Sequence, residues 1–276
     1  TVYLNCWDYS IFMAREREAL AKRHWYRHAP GNVRYCKDSV IPPGGCHHQK
    51  IIVIDDEIAF SGGMDIAVNR WDQRQHFPNS RHRVDPGDLY SPSLPHRYGP
   101  YHDVQMAVAG EVVDVLATIV RERWRRAAGS DPVPIRRRRK ADSLPASWPE
   151  SVEPDFRDVR TGVAVTEPHW RGNAAVRQGE RLYLDMIAGA DRFIYIENQY
   201  CTRKPIAEAL SRRLRERPEL RILIVSSRFS NGMMERKAMW HGRVLFRDIL
   251  ESGGAGDRVA LAYPISRLNG DERSVQ

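Results

Sequence analysis

The run Cys46-His47-His48-Gln49-Lys50 leads into Ile51-Ile52-Val53-Ile54-Asp55, and Ser61-Gly62-Gly63-Met64-Asp65 follows shortly after. An imidazole and an ammonium therefore stand two positions apart at the mouth of an apolar strand. A carboxylate closes the strand, and a Gly-Gly turn comes next. Alternate side chains of a strand share a face, so His48 and Lys50 are expected to project together. A nucleophile or acid/base group beside a fixed cation suits chemistry on a phosphate ester. Of the ten histidines, only His48 has a lysine two residues later. Ile51 to Ile54 are apolar on both faces, which predicts a buried central strand.

The elements that must carry these groups alternate. Val2 to Trp7 reads as a strand, Ser10 caps a helix running to about Arg23, and Val33 to Tyr35 is a short strand. The motif strand, 49–54, is expected to turn back into 58–61. Residues 73–100, rich in Pro, His, Arg and Asp, read as a long loop. Val104 to Val108 is a strand. Val112, Val113, Leu116, Ile119, Val120 and Trp124 then recur at helical spacing, predicting an amphipathic helix over 110–127. Beyond a Pro/Arg-rich stretch the pattern resumes, with helices at 177–190, 205–217 and 232–252 and strands at 193–200, 220–226 and 259–263. The fold class is α/β with a largely buried sheet. Its parts are a first lobe at 1–127, a linker at 128–165 and a second lobe at 166–276.

A hydrophobic content of 42% and seven tryptophans predict a folded globule. No apolar run approaches the roughly 20 residues needed to span a bilayer. Cys6, Cys36, Cys46 and Cys201 lack disulfide-framework or metal-ligand spacing, which favours a reducing compartment. A cytoplasmic or peripheral membrane location is expected. The net charge of +8 favours anionic partners, either phospholipid surfaces or nucleic acid. Much of it lies in Arg136-Arg137-Arg138-Arg139-Lys140, readable as a solvated linker or as a patch for acidic head groups.

Taken together, His48 through Asp72 resembles the first catalytic motif of the phospholipase D superfamily, in the branch of phospholipases D and their bacterial relatives. The string includes Ala59-Phe60-Ser61-Gly62-Gly63-Met64-Asp65 and Asn69-Arg70-Trp71-Asp72. The likeness continues at Tyr101-His102-Asp103-Val104-Gln105-Met106, at Arg123-Trp124 and at Ile194-Tyr195-Ile196-Glu197-Asn198-Gln199-Tyr200. It implies a two-lobed α-β-α sandwich whose lobes each give one His-x-Lys-x4-Asp motif, with phosphodiester chemistry through a phosphohistidine and no metal or cofactor. His48 would be the nucleophile, Asp103 would hold its second nitrogen, and Lys50 would grip a phosphoryl oxygen. Asp55 sits where Asp also serves turns, so catalytic and structural roles both stand. Gly62 and Gly63 would let backbone amides approach the phosphate. Asp65 would line or organise the pocket, and Glu197, Asn198 and Gln199 would form the opposite wall.

The chain departs from the family pattern in one respect. Past residue 126 the only histidines are His169 and His241, and neither has lysine at the second following position. The expectation is a piece of a longer two-motif protein, incomplete at both ends and inactive by itself, whose partner would be the missing C-terminal half. Phosphatidyl hydrolysis or transfer, with peripheral membrane contact, is the implied activity. Cardiolipin synthase-type transfer and nuclease activity share the chemistry. A basic non-catalytic module binding membrane or nucleic acid is the contrasting class.

Overall fold

A computed structural model describes residues 1–8, 28–67, 69–85, 96–133, 145, 147–228, 233–254 and 256–275. The helix expected from Ser10 to Arg23 and the Arg136–Lys140 run lie outside the described residues. The fold is α/β. Among the described residues, those of 1–66 and 103–176 form one compact unit, and those of 67–85, 96–102 and 177–275 form the other. The second lobe was expected to open at 166. Residues 166–176 instead group with the first unit, while 67–85 and 96–102 group with the second.

In the first unit, β1 (Val2–Trp7) pairs in parallel with β2 (Val33–Asp38), a strand three residues longer than expected. A second sheet holds β3 (Lys50–Ile54), β4 (Ile58–Gly62) and the later β7 (Gln105–Ala109), all antiparallel in the order β3-β4-β7. Among the described residues the strand at the motif is therefore an edge of this sheet, and the expectation of a buried central strand is corrected. Ile51 and Val53 pack with Ala59, Val113 and Leu116, whereas Ile52 and Ile54 face outward and are exposed. A continuous apolar run does not report burial on both faces when only one face finds a partner.

The covering element is α1 (Val112–Ala128), which buries Val113, Leu116, Ala117 and Trp124. Each fully buried large side chain contributes about 1.5–3 kcal/mol. Gly129 ends the helix in the left-handed region (φ 69°), its N–H donating to the Arg125 carbonyl. Two short strands, β8 (Thr166–Glu167) and β9 (Val176–Arg177), pair with each other farther along the chain.

The stretch expected as a long loop carries two-residue strands β5 (Val84–Asp85) and β6 (His96–Arg97), which pair antiparallel. It is organised by charge rather than by apolar periodicity. Arg83 is 1% exposed; it donates to Asp72 Oδ1 at 2.7 Å and to the carbonyls of Phe77 and Pro78 at 2.6 and 2.9 Å. A buried ion pair survives when further hydrogen bonds offset its desolvation; here the two Nη groups of Arg83 supply three, while its Nε has no partner among the described residues.

The rest of the second unit is a parallel sheet, β10 (Phe193–Glu197), β11 (Arg221–Val225) and β12 (Val259–Ala262), in that order. Helices α2 (Gln178–Gly189), α3 (Lys204–Glu216) and α4 (Met233–Ser252) connect and cover it. Leu210, Leu214, Leu220, Ile222, Ile224, Phe246 and Leu250 form the core, with Ile194 and Ile196 packed against it. Phe193 and Tyr195, on the alternate face of β10, are exposed. Strands β13 (Ile265–Leu268) and β14 (Asp271–Ser274) make a hairpin whose turn residues, Asn269 and Gly270, both have positive φ.

Candidate functional site

His48 lies in the irregular segment just before β3, and its side chain is exposed. Lys50 opens the strand. Its Nζ donates to the His48 carbonyl at 3.0 Å and lies 3.2 Å from Asp65 Oδ1. The lysine side chain is only 10% exposed, so its ammonium is largely withdrawn from water and held by two fixed acceptors. An ammonium has three donors; a phosphoryl oxygen could take the third or compete with Asp65. His48 was expected to project with Lys50 from the strand, but it precedes β3, and the lysine turns back to the His48 backbone carbonyl with Asp65 as its ion-pair partner.

Gly62 ends β4 and Gly63 follows it, where the chain runs against β7. A Cβ on Gly62 would collide with the Val104 carbonyl and the Gln105 side chain, and one on Gly63 would collide with the Asp103 carboxylate. The Gly63 N–H donates to the Val104 carbonyl at 3.1 Å. The pair is thus required for close approach between strands, and the Gly63 amide is committed to that contact. Asp103 rests over Gly63 and accepts from the Val104 N–H at 2.8 Å.

Asp55 is not brought to this end. Asp55 and Asp56 have φ of 50° and 57°, and the Glu57 N–H donates to the Ile54 carbonyl at 3.0 Å, so they form the tight turn between β3 and β4. At about 3.3 Å per residue, Asp55 lies roughly 16 Å along the strand from Lys50. Asp56 is buried beneath the turn and pairs with Arg121 of α1.

What holds the His48 segment is a polar cluster that the sequence reading did not single out. Asp38, at the end of β2, is 1% exposed. Arg123 of α1 donates to Asp38 Oδ2 from Nε at 3.0 Å and from Nη2 at 2.6 Å, and its Nη1 reaches Gln49 Oε1 at 3.1 Å. The Val40 N–H donates to Asp38 Oδ1 at 2.9 Å, and His47 Nε2 lies 3.1 Å from the same oxygen. Burial alone would raise the Asp38 carboxyl. His47, the Val40 amide and the Arg123 charge outweigh that and hold it well below the usual carboxylate range. One helix arginine therefore ties Gln49, between His48 and Lys50, to a buried anion. The cleft onto which His48 opens is lined also by Arg126, Glu167 and Trp170.

In the second unit, the wall residues sit at the end of β10. Glu197 is exposed, and Tyr195 donates its hydroxyl hydrogen to Glu197 Oε2 at 3.1 Å. Asn198 Oδ1 accepts from the N–H groups of Tyr200 and Cys201 at 3.0 and 3.1 Å, so this side chain shapes the turn. The Gln199 carbonyl accepts from Ser226 Oγ at 3.0 Å and from Arg243 of α4. Arg243 also donates to the carbonyls of Tyr200 and Ser227, each at 3.1 Å. The Cys201 thiol is pushed up to about 11 by burial, partly offset by Arg243, and so has little thiolate character. Among the described residues, no three His, Cys, Asp or Glu side chains are grouped to hold a metal ion.

With this geometry in hand, comparison with known proteins decides the family. The family model Phospholipase D matches residues 32–203, well over half of the chain. The chain belongs to the phospholipase D family. Phospholipase D alpha 1 of Zea mays and that of Oryza sativa subsp. japonica are each 29% identical over 194 residues, covering 56% of this chain and 24% of those proteins. Phospholipase D alpha 1 of Vigna unguiculata is 28% identical over a stretch of the same length. The match spans about a quarter of the length of these relatives. The stretch aligned to the phospholipase D family model includes His48, Lys50, the Gly62–Gly63 pair, Asp103, Arg123 and the Glu197–Gln199 wall.

Proposed function

We propose that this chain carries one half of a phospholipase D-like phosphodiesterase site, with His48 as the group that attacks phosphorus. The observation that supports this most is the Lys50 ammonium, withdrawn from water and fixed against the backbone carbonyl of His48, whose residue is exposed, and against Asp65. A cation fixed in advance stabilises charge that grows on the phosphoryl oxygens without reorganising during the reaction. An imidazole with an ordinary value near 6.5 supplies an unprotonated nitrogen around neutral pH. The bond from His48 nitrogen to phosphorus forms as the phosphorus–alcohol bond breaks, and water or a second alcohol then releases the phosphoryl group. The leaving alcohol takes its proton from a second His–Lys pair, which these 276 residues do not contain. Phosphatidyl esters are the substrate class favoured by the phospholipase D alpha relatives, with contact at the membrane surface. No described helix is long and apolar enough to cross a membrane.

A phenolate leaving group departs without an acid, which allows this half of the site to be tested alone. Mixed with bis(p-nitrophenyl) phosphate, the chain is expected to release one p-nitrophenolate per molecule in a burst and to retain an acid-labile phosphoryl label. His48→Ala should abolish both. A burst that survives in His48→Ala, or no burst with the natural sequence, removes His48 from the role of nucleophile.

A further inference from the structure

The second unit contains a file of titratable side chains that the chemistry above does not use. Asp72 is buried and accepts four hydrogen bonds: from Arg83 Nη1 and the Gln73 N–H at 2.7 Å, and from the Tyr101 N–H and His76 Nδ1 at 2.9 Å. His76 Nε2 lies 3.2 Å from His102 Nδ1, with the two rings nearly perpendicular. His102 Nε2 in turn lies 3.3 Å from Glu197 Oε1, and Glu197 Oε2 takes the Tyr195 hydroxyl hydrogen.

Burial would raise the Asp72 carboxyl, but the bonds from His76, Tyr101, Gln73 and Arg83 hold it below its ordinary value. It is therefore an ionised acceptor, and the hydrogen between it and His76 belongs to Nδ1. A neutral imidazole has only one N–H, so His76 Nε2 presents a lone pair and His102 Nδ1 must carry the next hydrogen. His102 Nε2 would then also present a lone pair, and it faces a carboxylate oxygen that has none to give. A direct hydrogen bond from His102 Nε2 to Glu197 requires one more proton. Placed at the outer end, it makes a His102 imidazolium against the Glu197 carboxylate. Placed at the inner end, it makes a His76 imidazolium against Asp72, with the hydrogen of His102 moved to Nε2. Both arrangements contain the same three ring hydrogens.

We infer that Asp72, His76 and His102 are positioning residues for Glu197, and that they hold its carboxylate in place through one shared proton. Among the described residues, the titratable and charged groups facing the file are Arg83 and Tyr98 near Asp72, and Tyr195 at Glu197; both hydroxyls are raised, first by burial, and so remain donors. Loss of the shared proton to solvent base leaves two lone pairs opposed across 3.3 Å, and His102 and Glu197 then separate. Glu197 closes the wall segment, so its position governs substrate binding. This last link rests on the phosphodiester reading, whereas the hydrogen count does not.

The count is tested by ¹⁵N spectra of histidine-labelled protein. His76 and His102 together should show three protonated nitrogens near neutral pH. In Glu197→Gln, whose amide can donate to His102 Nε2, they should show two, both at Nδ1. Two in the natural protein, three in the variant, or a neutral His76 protonated at Nε2 overturns the relay. In the burst with bis(p-nitrophenyl) phosphate, the substrate concentration at half-maximal rate should rise about two- to fivefold as the third hydrogen is lost, the most that an ion pair this exposed supplies. In Glu197→Gln that concentration should not vary with pH over the same range. A half-maximal concentration that ignores the third hydrogen overturns the positioning role. Absence of the His48-dependent burst strikes the phosphodiester reading instead, and the hydrogen count still decides the relay.

Discussion

Replacing Asp38 by Asn removes one charge and almost no volume, and it tests whether a buried anion fixes the His48 segment. Asp38 accepts two hydrogen bonds from Arg123 and one from the Val40 N–H, with His47 at 3.1 Å. Breaking a buried pair by neutralising one partner costs about 3–5 kcal/mol. Asn keeps an acceptor oxygen and Arg123 is 15% exposed, so the lower end, about 3 kcal/mol at pH 7, is expected.

The pH dependence gives this cost a signature. A carboxyl held below its ordinary value contributes stability that is present above the unfolded-state value, near 3.9, and is lost as pH falls through the folded-state value. At pH 3 the unfolded chain has protonated most of its Asp38 while the folded chain has not. The gap between the natural protein and Asp38→Asn should therefore narrow by about 1.3 kcal/mol between pH 7 and pH 3. Urea titrations at pH 7, 5 and 3 measure it directly. A gap below about 1 kcal/mol at pH 7, or one equally wide at pH 3, refutes the reasoning. Loss of the Arg123 fork also frees Gln49, and the His48-dependent burst should slow on the order of 10²-fold, the usual cost of about 1 Å of misplacement.

Other positions separate chemistry from scaffold. Lys50→Ala should slow the burst about 10²–10³-fold, with circular dichroism unchanged, because the ammonium is held by the His48 carbonyl and Asp65 at the mouth of β3. Asp55→Gly should leave the burst rate within about twofold and change stability by less than about 1 kcal/mol by urea titration, since a left-handed turn position accepts glycine. Arg83→Met should destabilise the second unit by about 3–5 kcal/mol in the same assay, because it strands the Asp72 carboxylate and the carbonyls of Phe77 and Pro78.

These positions also show where sequence reasoning reaches and where it stops. Elements built on apolar recurrence were legible: Val113, Leu116 and Trp124 do form the buried stripe of α1, and the expected strands and helices from 177 to 263 lie within a few residues of their observed bounds. The β13–β14 hairpin was also within reach, since Asn269-Gly270 between Leu268 and Asp271 is a strong turn signal, and it went unread. The exposure of Ile52 and Ile54 could not be read, because an apolar run says nothing of whether a second layer covers it. The Asp38–Arg123–Gln49 cluster and the Asp72–Arg83 pair were beyond reach for another reason. Their partners are separated by 11 to 85 residues and follow no period; only folding makes them neighbours.

That second class is the one that fixes the functional ends of the strands, and both units solve the problem in the same way. In the first, the Asp8 N–H donates to the Asp38 carbonyl at the close of the β1–β2 pair, and Arg123 of a helix binds Asp38 and Gln49. In the second, the Asn198 N–H donates to the Val225 carbonyl at the close of the β10–β11 pair, and Arg243 of a helix binds the carbonyls of Gln199, Tyr200 and Ser227. A turn that follows a strand has carbonyls and side chains with no ladder to satisfy them. A guanidinium meets several at once through a planar fork with little freedom left to lose. Lysine in the same place would satisfy the charge and leave the turn loose, so Arg123→Lys should retain most of the stability lost in Asp38→Asn while still slowing the burst. If instead Arg123→Lys leaves the burst rate unchanged, charge alone suffices and the fork is not what positions His48.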